Sequence, residues 1–398
     1  MLNSNLMTKT LFLPNKHTEL EPASQTEPHF KYLNRCGRKY SFKVREVLEK
    51  WFKDYPGHHK KDLCGRFQSN NNSDFISSFS ELYMHELLIK MNYAVEIHPQ
   101  VKGGKKTPDF LVSFPGHEDI YIEVTTASKI LEEGKYHRSF VDLILDKINE
   151  IDNQYFHLDL YEHGFFKSQP KAGKIKKNIE RWLNSLDYND YKNIKYGESF
   201  ENLPKKFIES NGCKLEFTAI PRNKIKQKNK KSSLLSAHMT NVQQVNSTGP
   251  IKRAIKKKGR KYGDLGKSYI IAINLEGLFL DQISITEALF GQEELLLNFD
   301  PNFKMKSKRS RKPNGAWTST CGPIYRRVSA VIIGNNILPW TIATGNLTLY
   351  YNPWTKYPLS GPITKLDKFI PKKNRMEEIK GIHPRKIFKF PKYWPGNN

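Results

Sequence analysis

The sequence predicts a mixed α/β protein, α+β-like in its strand order, built on a mixed sheet rather than a doubly wound one. Three observations carry this expectation. A long helical period runs over residues 75–93, and three strand-like runs follow at 93–99, 109–114 and 120–126. A basic helix at 251–263 then leads into an apolar strand at 268–277. The first three strands succeed one another without crossover helices, so they cannot all be parallel neighbours.

Residues 1 to about 35 are polar with scattered prolines and read as a loosely ordered arm. "SFKVREVLEKWFKDYP" sets Val44, Val47, Leu48, Trp51 and Phe52 at helical spacing and stops at Pro56. The loop "CGRFQSNNNSD" ends with Ser73 or Asp74 as helix caps. "FISSFSELYMHELLIKMNY" then repeats Phe75, Phe79, Leu82, Tyr83, Leu87 and Met91 on one side. The strands "YAVEIHP" and "DFLVSF" are separated by the basic turn "QVKGGKKTP", and "IYIEVTT" comes next.

From about 135 to 215 the pattern reads as helical and amphipathic, and 222–250 as loop. Beyond the basic helix and its strand, "ITEALFG" is a short helix and "FKMKSKRSRKPNGAW" an exposed basic loop. "VSAVIIG" and "LTLYY" are strands, and the tail alternates aromatic and basic residues with proline. The expected organisation is an N-terminal extension with one helix (1–73), a first core segment (74–134) and a helical insertion with a basic loop (135–250). A second core segment with added strands (251–355) and a basic, aromatic tail (356–398) complete it.

Sixty-five Lys and Arg against 40 Asp and Glu leave a formal charge of +25, which points to a nucleic-acid partner, with compositional drift as the other explanation. No apolar stretch approaches the roughly 18 residues of a membrane span. The N-terminal apolar scrap is too short for a secretory segment. Cys36, Cys64, Cys213 and Cys321 are far apart and form no CxxC, so a reducing cytoplasm is the expected location. "MHELLIK" begins like HExxH but has Ile89 at the second histidine's place, which excludes a zincin. Trp340, Tyr350, Tyr351 and Trp354 offer faces for base stacking or for core packing.

Asp109 and Glu123 each stand where a core strand should be apolar. If the turn between their strands is centred on Gly116, residues whose numbers sum to 232 pair, and Asp109 faces Glu123. Like charges across a strand pair are unfavourable, so either the pair is solvated or partly protonated, or a hard divalent cation lies between them. The flanks "FLV" and "IYIEV" are too apolar for a freely solvated edge. Glu81 lies beside the apolar stripe of its helix, where it either points at the sheet or is an ordinary surface glutamate. Lys102, Lys105 and Lys106 precede Asp109 and would compensate an approaching phosphate backbone.

In that order, "ELY", "TPDFLV" and "YIEVTT" resemble the PD-(D/E)XK nuclease superfamily, the restriction-endonuclease-like fold, over residues 75–127 and again at about 250–275. The resemblance implies a core of helix, three strands, helix and strand. It further implies a hydrolase cutting phosphodiester bonds, DNA in preference to RNA, and a role in restriction or phage defence. Asp109, Glu123 and the Val124 carbonyl would hold Mg²⁺, with Mn²⁺ as a substitute, and Glu81 would match the family's helical acid, which assists the metal site in some members. One position departs from the pattern: Thr125 stands where the family usually has lysine. In some members that lysine sits on the following helix, and "KKGRKYG" is similar to the K-x-x-(Q/K)-Y pattern there. Lys258 fits best, with Lys257 and Lys261 as rivals. Lys252, Arg253, Lys257 and Lys261 would contact phosphates, as would the basic segments 222–231 and 304–312. A protein partner or a homo-oligomer is compatible with this reading. The alternatives are a nucleic-acid-binding protein of the same fold without turnover, and a partner-binding protein whose charge is only compositional.

Overall fold

The computed structural model describes residues 10–14, 17–101, 106–128, 132–194, 200–223, 233–240, 248–276, 280–299, 305–372 and 375–396. Along the chain come α1 (His29–Arg35), α2 (Lys39–Asp54), α3 (Lys60–Phe67) and α4 (Asn72–Lys90). Next are β1 (Ala94–Ile97), β2 (Phe110–Ser113), β3 (Ile120–Ser128), α5 (Glu132–Asn149), β4 (Phe156–Gly164), α6 (Ala172–Asn184) and α7 (Tyr188–Tyr191). Then follow β5 (Lys205–Ser210), β6 (Cys213–Pro221), β7 (Leu235–Thr240), α8 (Gly249–Lys258), β8 (Ser268–Glu276) and α9 (Gln282–Phe290). The last stretch holds β9 (Glu293–Phe299), β10 (Met305–Arg311), β11 (Thr318–Ser319), β12 (Gly322–Pro323), β13 (Ala330–Asn335), β14 (Leu347–Tyr351), β15 (Asp367–Lys372), β16 (Arg375–Ile379) and α10 (Pro384–Phe388). None of the described helices is long and apolar enough to cross a membrane.

Two compact units result: Met1–Glu21 with Pro28–Lys129 and Asn246–Asn398, and Pro22–Glu27 with Ile130–Val245. The first is built on an eight-stranded mixed sheet in the order β1-β2-β3-β8-β13-β14-β15-β16. β3, β8 and β13 run parallel at its centre, while β1–β2–β3 and β13–β14 pair antiparallel. β8 is buried along nearly its whole length, as a central parallel strand covered on both faces must be. On one face, Ile122, Ile270, Ala272 and Ile332 pack against α4 and the N-terminal helices. On the other, Tyr121, Tyr269, Ile271 and Ile273 pack with Ile251 and Ile255 of α8 and with α9.

α4 is buried almost all round between Phe75 and Leu88, so its polar residues need partners inside the protein. Ser78 and Ser80 bond back to the carbonyls of Phe75 and Ile76, and Glu86 pairs with Lys90 at 3.3 Å. Asn71, two residues before Ser73 and three before Asp74, is the N-cap and accepts from the Ser73 amide.

Several expected elements differ. The N-terminal segment holds three α-helices rather than one, and Leu11 and Phe12 reach into the core, Phe12 meeting Phe30 and Phe67. The expected basic loop around 304–312 includes β10, which forms a two-stranded ribbon with β9. The C-terminal tail adds β15 and β16 to the sheet, and Phe388 of α10 stacks on Trp51. Here much of the alternation of aromatic and basic residues is packing: Phe388, Phe390 and Trp394 pack against the core while Lys386, Lys389 and Lys392 stay exposed, as does Tyr393.

The second unit is not the helical insertion expected. Its centre is a four-stranded sheet, β5-β6-β4-β7, covered by α5 and α6. In "FHLDLYEHG", Phe156, Leu158, Leu160 and Glu162 are buried and His157, Tyr161 and His163 half-buried, a two-residue period that buried Asp159 alone interrupts. β4 pairs with β6 over its full length. β5 and β6 are joined by Asn211–Gly212, both at positive φ, a two-residue hairpin turn.

His85, on α4, is 2% exposed, and its Nδ1 has no hydrogen-bond partner among the described residues. Burial pushes its pKa down to about 4. The unfolded chain takes up this proton near pH 6.5 but the folded one only near pH 4, so stability is lost as pH falls through that window. Between pH 7 and pH 5 the loss is about 2 kcal/mol, and it should vanish in His85→Leu, as urea melts at the two pH values would show. An equal loss in both proteins would place the acid sensitivity elsewhere.

Candidate active site

The β2–β3 turn carries Gly116 at φ +78°, a conformation open to glycine, and the His117 amide closes it on the Phe114 carbonyl. The ladder pairs Phe110 with Ile122, Leu111 with Tyr121 and Val112 with Ile120. Every pair sums to 232, the register expected from the sequence, and its continuation sets Asp109 opposite Glu123. Asp109 sits just before β2. There its carboxylate replaces a backbone acceptor: the Val124 amide donates to Asp109 Oδ2 at 2.6 Å.

Glu123 is completely buried. It lies on the face of β3 turned to α8 and meets the end of that helix. Lys258 Nζ donates to Glu123 Oε1 at 2.5 Å, and Lys261 Nζ to the same oxygen at 2.8 Å. The Tyr262 hydroxyl contacts both Glu123 Oε2 and, at 2.8 Å, the Thr107 carbonyl. These contacts join residues more than 130 positions apart in sequence.

Glu81 comes from α4 and is 5% exposed, so the inward orientation is the one adopted. Tyr55 donates to its Oε1 at 2.7 Å and Arg66 to its Oε2 at 2.8 Å, while His98 Nε2 stands 4.0 Å away. Glu81, Asp109, Glu123, Val124, Lys258 and Lys261 line one cavity of about 270 Å³, together with Arg66 and His98. Glu81 and Glu123 thus have cationic partners. Asp109 has one backbone amide and two carboxylate neighbours. Burial, then Glu123 and Glu81, push its pKa up to about 7 against the pull of Val124 N–H and Lys258.

Lys102 and Lys105 lie outside the described residues, as does most of 222–231. Lys106 is exposed, as are Arg253 and Lys257 on α8. Lys252 is partly buried, which lowers its pKa. Lys261, expected at phosphates or as a rival to Lys258, shares Glu123 with it. Thr125 does not line the cavity. Arg66, Tyr55 and His98 were not expected at the site; they come from elements whose sequence shows no link to it. Tyr262 stood in the quoted K-x-x-(Q/K)-Y stretch without an assigned part.

Among the described residues no group of three or more His, Cys, Asp or Glu side chains forms a ready metal cage. Asp109, Glu123 and Val124 line the cavity together, so two carboxylates and a backbone carbonyl are the donors a cation there could use. That is an all-oxygen set short of full coordination, which suits a hard cation that keeps several waters. Burial first, and then the Glu123 and Glu81 carboxylates, hold the Asp109 pKa up even with Lys258 close by. Searches against protein-family models, curated proteins and solved structures each gave no match.

Because Asp109 is held beside two other acids, Asp109→Asn should stabilise the metal-free protein. A gain of about 1–3 kcal/mol in EDTA is expected, since the amide oxygen still accepts from Val124 N–H. A denaturant melt in which the variant is less stable than wild type would refute the repulsion.

Proposed function

We propose that the chain is a metal-dependent nuclease that hydrolyses phosphodiester bonds, of DNA in preference to RNA, on a restriction-endonuclease-like core. The core's expected order of helix, three strands, helix and strand has its counterpart in α4, β1, β2, β3, α8 and β8. The observation that carries the proposal is the Lys258 ammonium 2.5 Å from Glu123, in the cavity that also holds Asp109. Thr125 cannot supply a cation from β3, and α8 brings one from the other side.

Asp109, Glu123 and the Val124 carbonyl would hold Mg²⁺ or Mn²⁺. Bound there, the ion would polarise a phosphoryl oxygen and lower the pKa of a water. Glu81 would hold Arg66 and Tyr55 at the cavity wall. Lys258 would release one contact with Glu123 and donate to the phosphate oxygen on which charge develops, and Lys261 would keep Glu123 neutralised meanwhile. Arg253, Lys257 and Lys106 would hold the flanking backbone as exposed cations. A role in restriction or phage defence agrees with this chemistry.

A second reading, a nucleic-acid-binding protein without turnover, is favoured by one observation: both oxygens of Glu123 already have partners.

Plasmid cleavage tests both. Purified protein should cut in Mg²⁺ and not in EDTA, Glu123→Gln should not cut, and Lys258→Ala should be slower by about 10²- to 10³-fold. Equal cleavage by wild type and Glu123→Gln would sink the site assignment. Binding without any cleavage would favour the second reading. Separately, DNA affinity should fall steeply with salt, and Arg253→Ala and Lys257→Ala should each lower the slope of log K against log salt by about 1. Unchanged slopes would remove α8 from the interface.

A further inference from the structure

A second and larger cavity, of about 650 Å³, opens beside the β9–β10 ribbon, within the size range of small-molecule sites. Its apolar lining includes Phe290, Trp354, Pro353 and Met376, and its rim carries Arg309 and Lys312. Among the described residues that line it the one acid, Glu293, bonds Arg311 at 3.1 Å, and Arg311 also donates to the Gly291 carbonyl at 2.9 Å. Arg309 and Arg311 are two apart on β10 and so share a face of the ribbon. With Glu293 paired to Arg311, Arg309 and Lys312 give the rim a net positive charge.

The cavity's walls are fixed in place. The Trp354 amide is capped by the side chain of buried Asn352, whose amide group donates to the Tyr325 and Val328 carbonyls. At the end of α9, Gly291 (φ +96°) lies so close to the next segment that a Cβ there would fall 1.9 Å from the Lys312 carbonyl. A half-buried tryptophan and two exposed cations therefore face a cleft that is already formed before any ligand arrives.

We propose that this cleft is a nucleotide-binding subsite. The base lies against Trp354, with Phe290 and Met376 behind it, and its phosphate meets Arg309 and Lys312. An aromatic face beside exposed cations is the arrangement that binds a base and its phosphate together, and it tolerates any base because all have a π-face. The inference deepens the nuclease reading and rests on it for the source of the nucleotide. Phe290, Trp354 and Met376 pack on the same face of the sheet as α8, so an unpaired nucleotide flanking the scissile bond is the ligand favoured. A free mononucleotide has the same chemistry.

The test is fluorescence anisotropy of a fluorescein-labelled thymidine trinucleotide with the full chain in EDTA, where cleavage cannot contribute. Trp354→Ala and Arg309→Glu should each weaken binding by about 5- to 150-fold, and Trp354→Phe should keep most of the affinity. Displacement by AMP would identify a free nucleotide as sufficient. Resistance to AMP would identify the strand, and either result supports the subsite. If wild type does not bind, or if both variants fold by circular dichroism and bind within twofold of wild type, the subsite is overturned. Because the readout is binding without metal, it stands or fails independently of the plasmid assay.

Discussion

The interaction on which the first unit's chemistry depends is the neutralisation of Glu123. A carboxylate with no exposed surface is tolerated only with partners that return what water would have given. Lys258, Lys261 and Tyr262 provide them, and in doing so they fix where α8 ends and how it faces β3. Removing one partner of a buried pair typically costs about 3–5 kcal/mol, so this contact also ties the two halves of the core's sequence together. On the other wall of the cavity, Glu81 is held in the same way by Arg66 and Tyr55.

Asp109 is the exception, and the exception is informative. Its carboxylate substitutes for a ladder acceptor, which keeps it in place, yet it meets two like charges and ionises only near neutral pH. A structure optimised for stability alone would put an amide or an apolar residue there. The cost is concentrated where the proposed cation would remove it, which is how sites that bind charge commonly differ from sites that only fold.

Which parts of this were legible in sequence follows from the range of the forces involved. The β2–β3 register came from a single turn, because a tight turn fixes all pairs that follow it. The inward orientation of Glu81 was open, since a residue at the edge of an apolar stripe can face either way. The sheet of the second unit reads as helix in the sequence although the Asn211–Gly212 turn signal is present, because charged residues interrupt the apolar ones in both flanking strands, "KKFIES" and "CKLEFTAIP", and mimic an amphipathic helix. β15 and β16 go unseen in the sequence for a related reason: short strands as charged as "DKFIPK" and "RMEEI" at a sheet edge look like a solvated tail.

By itself the sequence determined the local pieces: α4, the three strands behind it, the pairing of Asp109 with Glu123 and the basic helix that precedes β8. Those depend on periodicity and on one short turn, and both are written within a few residues. Only the tertiary structure decided which lysines reach Glu123, that Arg66 takes the charge of Glu81, and that Trp354 lines a cleft beside Arg309 and Lys312. These are contacts between segments 15 to more than 130 residues apart. Burial and charge compensation select them once the chain has closed, and no local pattern records that selection.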